Sequence, residues 1–235
     1  MPAVKRYDAR YFERWYRTSR VGVGGREYVA RKVRLAVAAT EYLLGRELAS
    51  VLDVGCGEAP WRAILAELRP GASYTGVDSS EYAVRRYGRT RNIRQASVGE
   101  LVRAGLTGPY DLLVCADVLH YVPTREARRG LHSMHTLCGG VAFLEAFTSR
   151  DAIEGDRTAF QKRTPDAYRA LFAEAGFVPV GLHLYATREH SRTLVALEHG
   201  AGRPRAAVGL RRLSASRIAP ARISCPATGS RSHRG

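Results

Sequence analysis

The stretch Val51-Leu52-Asp53-Val54-Gly55-Cys56-Gly57-Glu58-Ala59-Pro60-Trp61 reads as a buried strand that runs into a glycine turn and then a helix. Glycines at such a turn let the backbone approach a ligand at the carboxyl end of the strand, and the helix that follows presents free N–H groups. The combination predicts a nucleotide-type cofactor site, the plain alternative being a tight strand-to-helix turn with no ligand. A dinucleotide fingerprint would need a third glycine where Pro60 stands, and a P-loop would need a Gly-Lys-Ser/Thr that the chain lacks.

Outward from this turn the pattern alternates. Val51–Val54, Tyr74–Val77, Asn92–Gln95, Leu112–Cys115 and Val141–Phe143 read as strands, separated by helical stretches near Trp61–Leu68, Tyr82–Tyr87, Val98–Gly105 and Arg125–Leu137. Such alternation implies crossover units, hence a parallel sheet with helices on both faces. Upstream, Val29, Val33, Ala36, Val37, Thr40 and Leu44 fall at helical spacing after a glycine-rich joint at 21–25. Downstream, Thr164 suits an N-cap, Pro165 a first helical position and Gly176 a left-handed terminus, with Tyr168, Leu171, Phe172 and Ala175 on the inner face. Phe177–Tyr185 and Arg192–Glu198 then read as two strands joined by a short polar link at Arg188–His190, an antiparallel hairpin that closes the sheet.

The chain has 235 residues, 45% of them hydrophobic, which excludes global disorder. No apolar run reaches the roughly 18 residues of a membrane span, and residues 1–10 lack the apolar stretch of a secretory signal, so a soluble, cytoplasmic protein is expected. Asp8 and Glu13 interrupt an otherwise Arg-rich start that would suit a transit peptide. Cys56, Cys115, Cys138 and Cys225 form no C-x-x-C pair, so neither a disulfide framework nor a structural metal site is expected. The net charge of +15 points toward nucleic acid until it is located: residues 1–34 carry +7, 35–200 carry 0 and 201–235 carry +8. The expected organisation is an aromatic and helical N-terminal cap over residues 1–45, a cofactor-binding domain over 46–200 and a basic disordered tail over 201–235.

The D-x-G-x-G of Asp53, Gly55 and Gly57 resembles the first motif of the class I S-adenosylmethionine-dependent methyltransferases, and the resemblance extends over about 51–198. It implies a seven-stranded, mostly parallel, Rossmann-like α/β sheet with a terminal antiparallel hairpin. It also implies that the Gly55-Cys56-Gly57 turn packs against the methionine portion of the cofactor, with Asp53 orienting the turn and helping to hold the cofactor's ammonium. Ala59 departs from the further glycine that many members carry there. Asp78, at the end of the second strand and followed by Ser79, suits a ribose diol, or alternatively a helix N-cap. Ala96 and Ser97 end the third strand, where the family places the adenine, and no carboxylate stands there before Glu100.

After the fourth strand, Asp117, His120 and Tyr121 fall where the small-molecule members place the methylthio group and the acceptor. The Asn/Asp-Pro-Pro-aromatic motif of enzymes that methylate base amino groups is missing, which disfavours a nucleic-acid substrate. His120 has a suitable ordinary pKa for a general base, or it is a helix-flanking histidine without a catalytic part. Tyr121 is expected to orient the acceptor. Residues 7–16 hold five aromatic side chains; in this family similar segments fold over the cofactor, which would use Tyr11 and Trp15, and simple packing under the sheet is the other reading. Arg150, Arg157 and Arg163, in the long connection after the fifth strand, are read as anion-recognition groups or surface charges.

The function expected is methyl transfer from S-adenosylmethionine to O or N of a small molecule, with no metal and no membrane partner. The alternatives are an RNA methyltransferase that uses the basic ends and a catalytically degenerate cofactor-binding module.

Overall fold

The structure is a computed structural model that describes residues 5–18, 25–153, 156–192 and 194. Strands β1 (Ser50–Val54), β2 (Ser73–Asp78), β3 (Ile93–Gln95), β4 (Tyr110–Ala116), β5 (Cys138–Glu145), β6 (Phe177–Gly181) and β7 (Leu184–Thr187) form one sheet in the order β3-β2-β1-β4-β5-β7-β6. β1 to β5 run parallel, and β7 runs antiparallel to both β5 and β6. The order reverses between β1 and β4, so the connections that leave their carboxyl ends diverge and open a crevice there.

Successive side chains of a strand point to opposite faces, and each face carries its own core. Leu52, Val54, Leu113, Cys115, Ala142 and Leu144 pack with α5 (Thr124–Leu137) and α6 (Pro165–Ala175). Val51, Leu112, Val114, Val141 and Phe143 pack with α2 (Arg26–Leu44) and α3 (Pro60–Leu68). Full burial of one such leucine contributes about 1.5–3 kcal/mol, so the two layers fix the sheet from both sides. The amphipathic spacing places Val29, Val33, Ala36, Val37 and Thr40 on the buried face of α2, and Gly45 ends that helix in a left-handed conformation. In α6 the Thr164 side chain accepts the Ala167 N–H, Pro165 starts the helix and Gly176 ends it at φ 101°.

The N-terminal segment holds a short helix, α1 (Ala9–Phe12), continued by a π-helical turn over Glu13–Thr18. Helix α4 (Glu81–Arg91) covers the β2–β3 edge, and a 3-10 segment occupies Val98–Ala104. The hairpin is where sequence and structure part. β6 and β7 meet at Leu182-His183, inside the span expected to be one strand, and the expected link becomes α7 (Arg188–Ser191), capped by Thr187. Leu182 and His183 are both left-handed, at φ 50° and 66°, which matches the strand twist but normally selects Asn-Gly. The second expected strand, Arg192–Glu198, lies outside the described residues except for Arg192 and Leu194. The expected tail over 201–235 lies wholly outside them.

Candidate active site

The glycine turn is held from below. Gly55 and Cys56 donate their N–H groups to the Val77 carbonyl, at 2.7 and 3.1 Å. Gly55 (φ 74°) and Gly57 (φ 55°) are left-handed, and a Cβ on them would lie 2.4 Å from Val118 Cγ2 and 2.4 Å from the Tyr16 hydroxyl, respectively. Both positions therefore exclude a side chain by conformation and by space. Ala59 is also left-handed, at φ 56°, which explains why glycine suits it; here its methyl is buried beside Cys56 and Ile93. The Cys56 side chain fills the notch at Gly76, where a Cβ would meet its sulfur at 2.7 Å, and burial holds the thiol well above its usual range.

Two carboxylates support the turn. Asp53, 3% exposed, accepts the Tyr74 hydroxyl at 2.7 Å. Burial, assisted by the Asp78 charge and opposed by the Tyr74 hydrogen bond, pushes the Asp53 carboxyl up to about 7. Asp78 accepts the Gly57 N–H at 2.7 Å on one oxygen and the Ser80 N–H at 2.8 Å on the other, which leaves a further lone pair on each. Burial raises its pKa as well. The N-cap of α4 is Ser80, which accepts the Ala83 N–H at 3.1 Å, so Asp78 itself is not the capping residue.

Beyond β4, Asp117 takes up a left-handed conformation (φ 60°) and donates its N–H to the Glu145 carbonyl. Its carboxylate stands 3.5 Å from the ammonium of Lys32, which also pairs with Glu145. Burial and the Glu145 charge raise the pKa of Asp117 against the pull of Lys32. His120 is buried against Tyr121, Phe147 and Phe160, and its Nδ1 accepts the Phe147 N–H at 3.3 Å. Burial, then the Lys5 and Arg163 charges, lower its pKa to about 4. The ring is therefore neutral near pH 7, with its proton on Nε2. The Tyr121 hydroxyl donates to the Asp156 carbonyl at 2.8 Å, and burial pushes it up to about 12.

These residues line two adjoining cavities of about 440 and about 380 Å³. The larger is bounded by Tyr11, Trp15, Asp53, Gly55, Cys56, Asp117, His120 and Tyr121, with Lys32, Tyr28 and Phe147. The smaller is bounded by Gly57, Asp78, Ser79, Ala96 and Ser97. Tyr11, Tyr16, Gly55, Asp117, Val118 and Tyr121 border both and mark their junction. The N-terminal segment closes the top: Phe12 is buried and stacks on Tyr82 of α4, while Tyr11 and Trp15 face the cavities. Ser80 donates its hydroxyl to the Tyr7 carbonyl at 2.5 Å. Lys5 reaches under this segment, pairs with Asp156 at 2.8 Å and lies 3.1 Å from the centroid of the Tyr121 ring.

Sequence reasoning did not single out Lys32, Lys5, Asp156 or Glu145. The signal for Lys32 is a charge on the apolar face of α2, between Val29 and Ala36. Arg163 corrects the reading of the loop arginines. It is 8% exposed and donates to the carbonyls of Leu119 (2.9 Å) and Val122, to Thr124 Oγ1 (3.1 Å) and to the Tyr168 hydroxyl (3.3 Å). It is thus neither a surface charge nor a group open to an anion, and it holds the turn that carries His120 and Tyr121.

The sheet order and the glycine turn at the switch point define the class I S-adenosylmethionine-dependent methyltransferase fold. A family model described as a methyltransferase domain matches residues 26–182, more than half of the chain, and the chain belongs to that family. No curated protein sequence matches the chain. A SAM-dependent methyltransferase from Archaeoglobus fulgidus aligns over 73% of this chain and 74% of its own, with TM-score 0.56 and 17% identity. DesVI from Streptomyces venezuelae aligns over 69% and 91%, with TM-score 0.54 and 15% identity. The plantazolicin methyltransferase BamL, in complex with a triazolic desmethylPZN analog and SAH, aligns over 72% and 68%, with TM-score 0.53 and 14% identity. At these identities the likeness is one of fold.

Proposed function

We propose that the protein transfers a methyl group from S-adenosylmethionine to a nitrogen or oxygen of a small molecule. The observation that carries this reading is the pair of cavities joined over the Gly55–Gly57 turn, with the chemistry of the cofactor's parts matched around them. Asp78 and Ser79 suit the ribose hydroxyls, and the Ala96–Ser97 backbone suits the adenine edge. Lys32 offers a cation to the carboxylate of the cofactor's amino-acid end, and Asp53 lies beneath the turn where its ammonium would rest. Both glycines permit the close backbone approach that a cofactor lying on the turn requires.

Bound, the cofactor supplies a methyl group already activated on a sulfonium, so the protein's part is mainly alignment. Tyr11 covers the junction and Trp15 the larger cavity, together as a lid, Tyr121 orients the acceptor, and His120 acts as a hydrogen-bond donor through Nε2. The modest volume of the two cavities beneath the N-terminal segment favours a metabolite over a polymer. The test is calorimetric titration with S-adenosylhomocysteine, followed by screening of metabolite classes for its release from S-adenosylmethionine, with Asp53→Ala as the control. Micromolar binding lost in the control is expected, and absence of binding to the intact protein would overturn the reading.

A further inference from the structure

Three groups of observations at the cavity junction bear on the acceptor. The first concerns bases. His120 has its one lone pair occupied by the Phe147 N–H, Tyr121 donates to a backbone carbonyl, Asp156 is paired with Lys5, and Asp53 is buried under the turn. Among the described carboxylates of the two cavities, Asp117 has the most accessible side chain of those in ion pairs, 30% exposed against 13% for Asp156, and it borders both cavities.

The second concerns charge. Asp117 and Glu145 share Lys32, and His183 Nε2 lies 4.0 Å from Glu145, so this wall sets two carboxylates against one permanent cation. A carboxylate acceptor meets repulsion there, and a phenol becomes harder to ionise, whereas an ammonium is attracted. The third is independent of that wall. Lys5, with its side chain 7% exposed, keeps a desolvated ammonium among the rings of Tyr7, Tyr11 and Tyr121, at 5.2, 5.3 and 3.1 Å from their centroids. Two of those rings, Tyr11 and Tyr121, border the junction, so the junction already sets ring faces around an organic cation, whose pKa burial lowers against the pull of Asp156.

We infer that the methyl acceptor is an amine, bound as its ammonium ion against Asp117 with the aromatic rings of the junction around it. This rests on the methyltransferase reading and narrows it to nitrogen. Asp117 takes the ammonium proton; the freed lone pair forms the new carbon–nitrogen bond as the donor's carbon–sulfur bond breaks with its electron pair left on sulfur. The proton on Asp117 then returns to solvent, and the product leaves as an N-methylammonium. Burial and Glu145 raise the proton affinity of Asp117, while Lys32 and His183 oppose them, which suits a group that must accept a proton without holding it.

A thermal-shift panel on the full chain tests this without turnover, using alkyl- and arylalkylamines and the phenols and carboxylates of matching size, with and without S-adenosylhomocysteine. Amines should stabilise the protein with at least about tenfold higher apparent affinity than their counterparts. That advantage should fade as pH rises through the pKa of each amine, and it should be lost in Asp117→Asn, a substitution the left-handed backbone tolerates. Amines that shift the midpoint no more than phenols and carboxylates, or a preference unchanged in Asp117→Asn, would overturn the inference. A protein that S-adenosylhomocysteine itself does not stabilise is the separate result that overturns the methyltransferase reading.

Discussion

Arg163 Nη1 donates to the carbonyl oxygen of Leu119 at 2.9 Å and thereby ties the loop before α6 to the turn that carries His120. The guanidinium also holds the Val122 carbonyl, and the neighbouring Gln161 N–H donates to the His120 carbonyl at 2.8 Å. The backbone around His120 and Tyr121 is thus fixed by groups that are remote in sequence and closed to ligand.

Arg163→Met removes the guanidinium donors from the Leu119 and Val122 carbonyls, the first of which keeps the Val122 N–H. It should lower the unfolding free energy by about 2–4 kcal/mol, with Arg163→Lys recovering part of the loss because it keeps the charge but not the fork. Urea denaturation measures both variants, and a Met variant as stable as the parent contradicts the role.

Gly57→Ala places a methyl where the Tyr16 hydroxyl lies and forces a left-handed conformation on an L-residue, a strain of about 1–2 kcal/mol. S-adenosylhomocysteine affinity should fall by at least about tenfold, the equivalent of about 1.4 kcal/mol. Adding Tyr16→Phe should restore some stability, since it removes the atom that the new methyl meets, while the backbone strain stays. Calorimetry and a melting curve on the single and double variants decide the matter.

Asp53 and His120 set opposite slopes in stability against pH. The Asp53 carboxyl rises from 3.8 to about 7, so its contribution is present in acid and is lost as pH rises through about 7, with Asp78 acting in the same direction. The His120 pKa falls from 6.5 to about 4, so its contribution is present above 6.5 and is lost as pH falls through about 4. The two oppose each other within the window they share. Urea midpoints should fall with rising pH in His120→Asn, rise in Asp53→Asn, and vary less in the parent than in either. Parallel profiles for the two variants would refute the assignment.

Ser80 joins β2 to the N-terminal segment while it caps α4. Ser80→Ala should cost about 1 kcal/mol of stability from the lost cap. It should also speed hydrogen exchange at the amides of residues 5–18 more than at α4, which mass spectrometry of peptides resolves. Equal acceleration of both regions would leave the Tyr7 contact without a structural role.

The parts of the site legible in the sequence are those fixed by local rules. Gly55 and Gly57 announce themselves because only glycine fits, and Asp78 because it ends an apolar strand at a set distance. Thr164, Pro165 and Gly176 mark α6 through capping chemistry that acts within one turn. What escaped depends on partners far along the chain: Arg163 reads as one loop arginine among several until Leu119 and Val122 are seen around it. Lys32 reads as a helix surface charge until Asp117 and Glu145 converge on it. The Leu182-His183 turn is hidden for a different reason, since neither residue has a preference for the conformation the strands impose.

The division of the core between two faces makes β4 the least editable segment of the chain. Leu112 and Val114 belong to one layer and Leu113 and Cys115 to the other, so inserting or deleting a single residue there would exchange the contents of both layers at once. It would also turn the Asp117 side chain away from the junction. A scan of single-residue insertions should therefore find β4 intolerant over its whole length, while the edge strand β6, with three of its five residues exposed, absorbs the same change at little cost.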